Sequence, residues 1–269
     1  MKFFGAFLLL FAFSGCESQG SRIYMPGFDF ALFRHTPVRE LASAVEADDT
    51  ARIRAAIAAA MGNIDYQEPK FGNSLLTLAV VDNKPLATKM LLEFGANPNL
   101  HSPQDDLTPF LAACEYLDYN LKNWRENWRQ VLALLIDHGA NVNDSQTTVQ
   151  HNGKYSHTLT VTALEYVVRF GKVDVVELLL DKGARLDIYP KNGPSSILVL
   201  AAYNLDVLRY LLVEKGVSIP DYAVIREEGT VNEKKLSLEQ LLVEDSVGEN
   251  SHRREQYNEI LTFLDKHRN

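Results

Sequence analysis

The stretch LLIDHGANVN (Leu134 to Asn143) decides how the rest of this chain is interpreted. An aspartate and a histidine lie side by side in it, ahead of a glycine and two asparagines, as they could in a fragment of an active site. The same phrase returns elsewhere in the chain, which makes it a repeat. The other copies are LLEFGANPN (91–99), LLLDKGARLD (178–187), LLVEKGVSI (211–219) and the degenerate IAAAMGNID (57–65).

Alignment of the copies removes the catalytic meaning of the Asp-His pair. His138 occupies the position of Phe94 and Lys182, and Asp137 occupies the position of Glu93. Because other copies of the repeat have Phe or Lys at the position of His138, this position does not require a catalytic side chain. The glycine that follows each apolar segment, Gly139 in this copy, predicts the left-handed residue that ends a helix.

A second phrase precedes each of the four later copies. It reads SLLTLAV (74–80), TPFLAAC (108–114), TALEYVV (162–168) and SILVLAA (196–202). The two phrases together resemble the ankyrin repeat, whose first helix begins Thr-Pro-Leu-His-x-Ala and whose second helix ends Leu-Leu-x-x-Gly-Ala. Only Thr108-Pro109 keeps the Thr-Pro pair, and no copy has the His. The glycine intervals are 33, 44, 44 and 33 residues, and 33 is the ankyrin period.

The resemblance implies an all-α fold, an ankyrin-repeat solenoid of about six helix pairs that needs stacked neighbours to bury its apolar faces. It covers residues 38–269, and we expect a long hairpin-like finger insertion within it. The expected units are 38–65, 72–99, 106–143, 160–187, 194–219 and 236–269. Three aromatic residues ahead of the first unit, Phe28, Phe30 and Phe33, are predicted to cover its open end.

The two long intervals carry eleven extra residues each, in different places. One excess lies in EYLDYNLKNWRENWRQ (115–130), within or between the helices of the third unit. The other lies in the connection NDSQTTVQHNGKYSHTLTV (143–161), where Asn-Gly between alternating residues predicts a β-hairpin. A third irregular connection covers residues 217–235. Long loops on a rigid scaffold usually carry function, so the partner-binding residues are sought in and beside these segments.

Aromatic and histidine side chains of these regions are the candidate partner contacts, because Trp and Tyr are common interface anchors. For Trp124 and Trp128 the alternative is that the rings pack the longer helices together. For the histidines and the tyrosine of the predicted hairpin the alternative is a solvated loop. The candidates are Tyr116, Tyr119, Trp124, Trp128, His151, Tyr155, His157 and Tyr189.

Known catalytic and cofactor motifs are missing from the sequence. It has no Gly-x-Ser-x-Gly elbow, His-Glu-x-x-His helix, Walker loop or Gly-x-Gly-x-x-Gly turn, so we expect no enzyme activity and no cofactor. His151 and His157 lack an acidic or thiol ligand at metal-binding spacing. The net charge is −8, and acidic and basic residues are interspersed along the chain. The sequence has no cluster of basic residues of the kind that binds nucleic acid.

The beginning of the chain is typical of export. MKFFGAFLLLFAFSGC has one Lys, a short apolar run and small residues before Cys16, which predicts a signal peptide over residues 1–15. The ending FSGC resembles the bacterial lipobox, with Phe13 in place of the usual Leu. That resemblance implies lipidation (palmitate) at Cys16, with residues 16–37 forming the tether and N-terminal cap. The alternative is an ordinary export signal with a coincidental Cys.

The resemblance to lipoproteins also bears on location and redox chemistry. Residue 17 is Glu rather than Asp, which favours an outer membrane lipoprotein facing the periplasm over one retained in the inner membrane. With Cys16 lipidated, Cys114 has no partner for an internal disulfide. It lies in an apolar helical run and is predicted to be a buried, unreactive thiol.

These features are compatible with three classes of function. The first is a monomeric protein that binds another protein through its concave face and fingers. Its most specific form is an immunity protein that neutralises a secreted antibacterial toxin such as a phospholipase or lipase effector delivered by type VI secretion. The second is an envelope adaptor or scaffold that supports a periplasmic enzyme or a stress response. The third, an enzyme, is disfavoured by the missing motifs.

Overall fold

The computed structural model of the protein describes residues 27–59, 63–115, 128–152, 155–226, 229, 231–244 and 253–267. Helices dominate this part of the chain, as expected for a helical repeat protein. They are α1 (Arg39–Glu46), α2 (Thr50–Ala59), α3 (Leu75–Val81), α4 (Pro85–Glu93), α5 (Pro109–Glu115), α6 (Trp128–Asp137), α7 (Ala163–Phe170), α8 (Val173–Asp181), α9 (Ile197–Leu200), α10 (Leu205–Arg209), α11 (Leu238–Glu244) and α12 (Arg254–Lys266).

Two antiparallel strand pairs lie in the connections between helices. Strands β1 (Ser145–Asn152) and β2 (Tyr155–Thr162) form the first pair. Strands β3 (Val224–Arg226) and β4 (Lys234–Leu236) form the second, within the 217–235 segment for which the sequence predicted only a long connection. The period-two pattern of three residues per strand is too short to identify β3 and β4 from sequence.

Helices of the same kind stack on one another along the chain. The first helices of successive pairs, α1, α3, α5, α7 and α9, contact in that order, and so do the second helices, α2, α4, α6, α8 and α10. Each pair therefore covers the apolar face of the pair before it. The core between the two layers is dominated by leucines that are almost fully buried, each worth about 1.5–3 kcal/mol of transfer free energy.

The two repeated phrases have local structural causes. Ser74, Thr108 and Thr162 open the first helices, and each side-chain oxygen accepts a hydrogen bond from the backbone N–H three residues on. Gly139 ends α6 with φ of +89°, and the predicted left-handed cap is confirmed there. The N–H of Ala140 returns to the carbonyl of Leu135, so the free carbonyls of the last turn are paired.

The last copy of the phrase ends differently. α10 continues as a π-helical turn over Tyr210–Glu214, and the N–H of Val217 reaches back to the carbonyl of Leu211. This turn is one residue wider than the cap after α6. Gly216 still adopts a positive φ, of +63°.

The N-terminal cap and the single described cysteine follow the sequence predictions. Phe30 and Phe33 are buried in a 3-10 turn that contacts α1, and Phe28 is partly buried against the same core. Cys114 is buried and unpaired, and burial raises the pKa of its thiol well above the ordinary value. Of the helices described here, none combines the length and apolar character needed to cross a membrane. The predicted signal peptide and Cys16 lie outside the described residues.

Candidate partner-binding surface

Asparagine side chains fix the position of each finger relative to the next. Asn99 accepts from the backbone N–H of Asn141 at 2.7 Å and donates to the carbonyl oxygen of Gly139 at 2.8 Å. Asn143 repeats this geometry one unit later, with the N–H of Arg185 at 2.9 Å and the carbonyl of Gly183 at 3.0 Å. The asparagines of the quoted phrase therefore hold successive loops in one row.

Carboxylates fasten the β1 side of the hairpin to the preceding finger. Asp144 accepts from the hydroxyl of Thr108 at 3.0 Å and from the N–H of Ser145 at 2.9 Å. Asp106 accepts from the N–H of Thr147 at 2.8 Å. His101 lies between the two carboxylates, 2.8 Å from Asp106 and 3.3 Å from Asp144. The base of β1 is thus anchored by side chains rather than by another strand.

One face of the hairpin packs on α7. Gln146 is buried; its amide nitrogen donates to the carbonyl of Asp105 at 2.7 Å, and its amide oxygen accepts from the hydroxyl of Tyr166. Val161, which pairs with Gln146 across the hairpin, is buried as well. The base of the hairpin is therefore packed against α7, and the buried hydrogen bonds of Gln146 fix its orientation.

The β2 side is fastened to the following finger. Thr162 caps α7 in a reciprocal capping box with Glu165, whose carboxylate accepts from the N–H of Thr162 at 2.7 Å. The hydroxyl of Thr162 also bonds the hydroxyl of Tyr189. Both sides of the hairpin are therefore fixed at the base by neighbouring fingers.

Burial changes the protonation of groups beneath the hairpin. It raises the pKa of Glu115 to about 7, and the charge of Asp105 adds to that rise. Burial also raises the pKa of the Tyr166 and Tyr189 phenols, and the charge of Arg169 opposes the rise in both. The guanidinium of Arg169 therefore lies close enough to both rings to influence them.

Three side chains at the end of α7 or just after α9 are exposed or half-buried. Arg169 is half-buried and, within the described part of the chain, has no ion-pair partner. Phe170 is 48% exposed at the end of α7, and Tyr203 is 53% exposed after α9. Large exposed aromatic side chains beside an Arg are the composition of protein interfaces. We call Arg169, Phe170, Tyr189 and Tyr203 the α7 surface.

The upper part of the hairpin adds apolar side chains on both of its faces. Val149 is 57% exposed and Leu159 is 42% exposed. Because Val149 pairs with Thr158 while Leu159 pairs with Thr148, the two apolar side chains lie on opposite faces. A partner that meets the hairpin from either side therefore finds an apolar contact.

Two of the partner-contact residues predicted from the sequence, Trp128 and Tyr189, differ in where the structure places them. Trp128 is buried, and its indole N–H donates to the carbonyl of Ala113 at 2.8 Å, which corrects its assignment to the partner surface. The indole satisfies its donor inside the repeat, as the packing alternative required. Tyr189 is partly buried at the base of β2 and belongs to the α7 surface.

The other six candidates fall outside the described part of the chain, either entirely or in their side chains. Tyr116, Tyr119 and Trp124 lie outside the described residues. His151, Tyr155 and His157 belong to the paired strands, but their side chains lie outside the described part.

The sequence patterns did not identify Arg169, Phe170 and Tyr203, because these residues lie outside the three irregular segments. Arg169 and Tyr203 occupy the same position of successive units, seven residues after Thr162 and Ser196. In the two preceding units the same position holds the buried Val81 and the mostly buried Glu115, so alignment of this position across the units does not mark it as a surface.

Within the described residues, no cluster of three or more His, Cys, Asp or Glu side chains is placed to bind a metal.

A family model of ankyrin repeats matches residues 76–188 with three copies. No curated protein matches the chain. Ankyrin repeats indicate protein–protein interaction, and the match spans the finger hairpin and α7.

Proposed function

We propose that the ankyrin repeats of this chain make it a non-enzymatic protein that binds another protein through the hairpin and the α7 surface. The observation that carries the proposal is the arrangement around α7. A hairpin held at its base by Gln146 leads directly into α7, which ends in the half-buried Arg169 and the exposed Phe170. Tyr203 is exposed just after α9, which contacts α7. Rigid placement of aromatic and Arg side chains lowers the entropy lost when a partner binds.

We also propose that the protein is a lipoprotein anchored at Cys16, on the outer membrane and facing the periplasm. The support is the FSGC ending after a short apolar run, with Glu17 next to the lipidated cysteine. Metabolic labelling with a palmitate analogue should mark the full chain, and Cys16→Ser should abolish the label. Labelling that persists in Cys16→Ser would overturn the anchor.

Our most specific proposal is an immunity role. A lipid-tethered binding protein would stay at the membrane that a secreted phospholipase attacks, and its finger and α7 surface would cover the active site of that effector. The support is an N-terminal stretch typical of export signals, together with ankyrin repeats and a long connection at 143–161. The mechanism is steric and needs no chemistry from this chain.

Deletion of the gene tests the role. Immunity predicts that deleted cells become sensitive to toxin-delivering neighbours and that a toxin co-purifies with the full chain. Unchanged sensitivity together with a co-purifying resident envelope protein would instead favour an adaptor.

Surface variants test where the partner binds. Phe170→Ala and Tyr203→Ala should each weaken capture of that partner by about 1 kcal/mol or more, as interface anchors do. Phe94→Ala is the matched control, because Phe94 is 41% exposed at the end of α4 and not on the α7 surface. Equal loss in all three variants would contradict the assigned surface.

A further inference from the structure

The outer edge of β2 carries backbone groups that no other described residue binds. In the register of the hairpin, Ser145 pairs with Thr162 and Thr147 pairs with Thr160. The N–H groups of Ser145, Thr147 and Thr162 are each bound by a carboxylate outside the ladder. These pairs therefore point their N–H and C=O groups outward, and the next outward pair two residues on is Val149 with Thr158.

Side chains cover this edge only at its base. Glu165 takes the N–H of Thr162, whereas within the described residues nothing takes the outward backbone groups of Thr160 or Thr158. Both threonine side chains are exposed. Neither strand contains a Pro or a charged Asp, Glu, Lys or Arg, the residues with which proteins usually protect a strand edge from pairing.

Arg169 lies in the last turn of α7, the helix that follows β2 directly. Tyr189 bonds Thr162 at the base of β2, and Arg169 acts electrostatically on Tyr189 and Tyr166 from the α7 surface. Arg169 is half-buried and has no ion pair among the described residues. A partly desolvated guanidinium gains most from a carboxylate, which it can bind through two parallel hydrogen bonds.

We propose that the partner binds as an extended acidic segment, which adds a third strand along Thr158 and Thr160 and places an Asp or Glu side chain on Arg169. The inference rests on the proposed function and names the partner's chemistry. Main-chain hydrogen bonds to the edge give affinity, and the carboxylate gives register. Pairing of β2 with β2 of a second copy would involve only this short edge, far less than the area a stable dimer needs.

Removal of one outward N–H tests the strand. Thr160→Pro deletes the outward N–H and spares the ladder to β1, because the N–H of Thr160 does not point to that strand. Thr160→Val keeps the N–H and the β-branched shape, and is the matched control. Arg169→Gln removes the charge, and Arg169→Lys keeps it without the planar fork.

The probe is a pair of labelled, end-blocked peptides of alternating Thr and Val, one with a central Glu and one with a central Lys. With the full chain, we expect the Glu peptide to bind at least about tenfold more tightly, as expected for a charge-assisted pair. It should slow hydrogen exchange at the amides of Thr158 and Thr160. Thr160→Pro and Arg169→Gln should each weaken binding about tenfold or more, Arg169→Lys less, and Thr160→Val little.

Equal binding of the two peptides, unchanged exchange at both amides, or unaltered affinity in Thr160→Pro would overturn the inference. So would a concentration-dependent dimer that Thr160→Pro abolishes. Failure of the proposed function looks different, because wild-type protein would then retain no protein partner from its cell envelope. A partner that is retained equally by wild type, Thr160→Pro and Arg169→Gln would leave the function standing and remove the strand mechanism.

Discussion

Asn99 and Gly139 lie forty residues apart in the chain, yet the side-chain amide of Asn99 donates to the carbonyl oxygen of Gly139 at 2.8 Å. The same asparagine accepts from the N–H of Asn141. One short side chain thereby joins two loops that the insertion in the third unit separates in sequence. The side-chain amide of Asn143 likewise donates to the carbonyl oxygen of Gly183, so each of these loops is hydrogen-bonded to the next one.

Removal of the Asn99 hydrogen bonds between loops should lower the stability of the protein. Asn99→Ala removes two hydrogen bonds to backbone groups, and we expect the free energy of unfolding to fall by about 1 kcal/mol because the site is partly solvated. Urea unfolding measures the change. Asp187→Ala is the control, since Asp187 occupies the equivalent position but bonds Arg185 within its own finger. A cost in Asp187→Ala as large as that in Asn99→Ala would contradict this role of Asn99.

The cap of the quoted phrase depends on backbone conformation alone. An added Cβ at Gly139 would meet no atom within 4 Å, yet φ is +89°. Gly139→Ala should therefore cost about 1 kcal/mol from the left-handed conformation. Gly139→Asn should cost less, since Asn tolerates this region. Thermal unfolding of both variants checks the order, and a costlier Asn would indicate a steric cause.

Glu115 should make stability depend on pH. Its pKa is about 7 in the folded protein against 4.5 for the free group, so the folded state holds the proton more tightly between these values. Stability should fall as pH rises from about 4.5 to 7, by about 2–3 kcal/mol for a mostly buried group, and stay level above. Glu115→Gln should remove this part of the slope in urea titrations at pH 5 and pH 7.5. An identical slope in wild type and variant would contradict the burial of the carboxyl.

Trp128 should behave as a core residue. Trp128→Phe leaves the carbonyl of Ala113 without its donor, so we expect a loss of about 1–2 kcal/mol, and about 3–5 kcal/mol for Trp128→Ala. In a Trp124→Phe background the remaining emission should be blue-shifted and resist acrylamide quenching. Strong quenching would place the ring at the surface.

Cys114 should resist modification in the folded protein. Burial raises its thiol pKa, so little thiolate is present and the sulfur is not accessible. In Cys16→Ser, Ellman's reagent should find no fast-reacting thiol under native conditions and one thiol in concentrated urea. Rapid native reaction would show that α5 opens readily.

The repeat could be predicted from sequence because its causes are local. Gly139 needs a left-handed conformation and Thr108 offers a capping oxygen, so both leave a readable mark at fixed spacing. The same comparison between copies showed that the Asp137–His138 pair is not catalytic. Tertiary structure then gave Asp137 a role of its own, because Lys182 of the next unit bonds it at 2.8 Å.

The candidate site could be predicted only in part. The sequence pointed to the 143–161 connection as an insertion, but the value of Trp128 and Arg169 depended on which side of a helix each one takes. The Trp128 side chain points inward, where its indole N–H donates a hydrogen bond to the carbonyl of Ala113. Arg169 stayed outward, where no carboxylate of the described residues reaches it.

The sequence by itself determined the repeated helices, their glycine caps and the place of the β1–β2 hairpin, since each depends on residues a few positions apart. Only the tertiary structure decided how that hairpin is held. Asp106, Asp144 and Gln146 meet their partners across turns of different units, and no local spacing encodes such a meeting. Stacking of the units brings these groups together, and hydrogen bonding between buried or half-buried groups then fixes one arrangement.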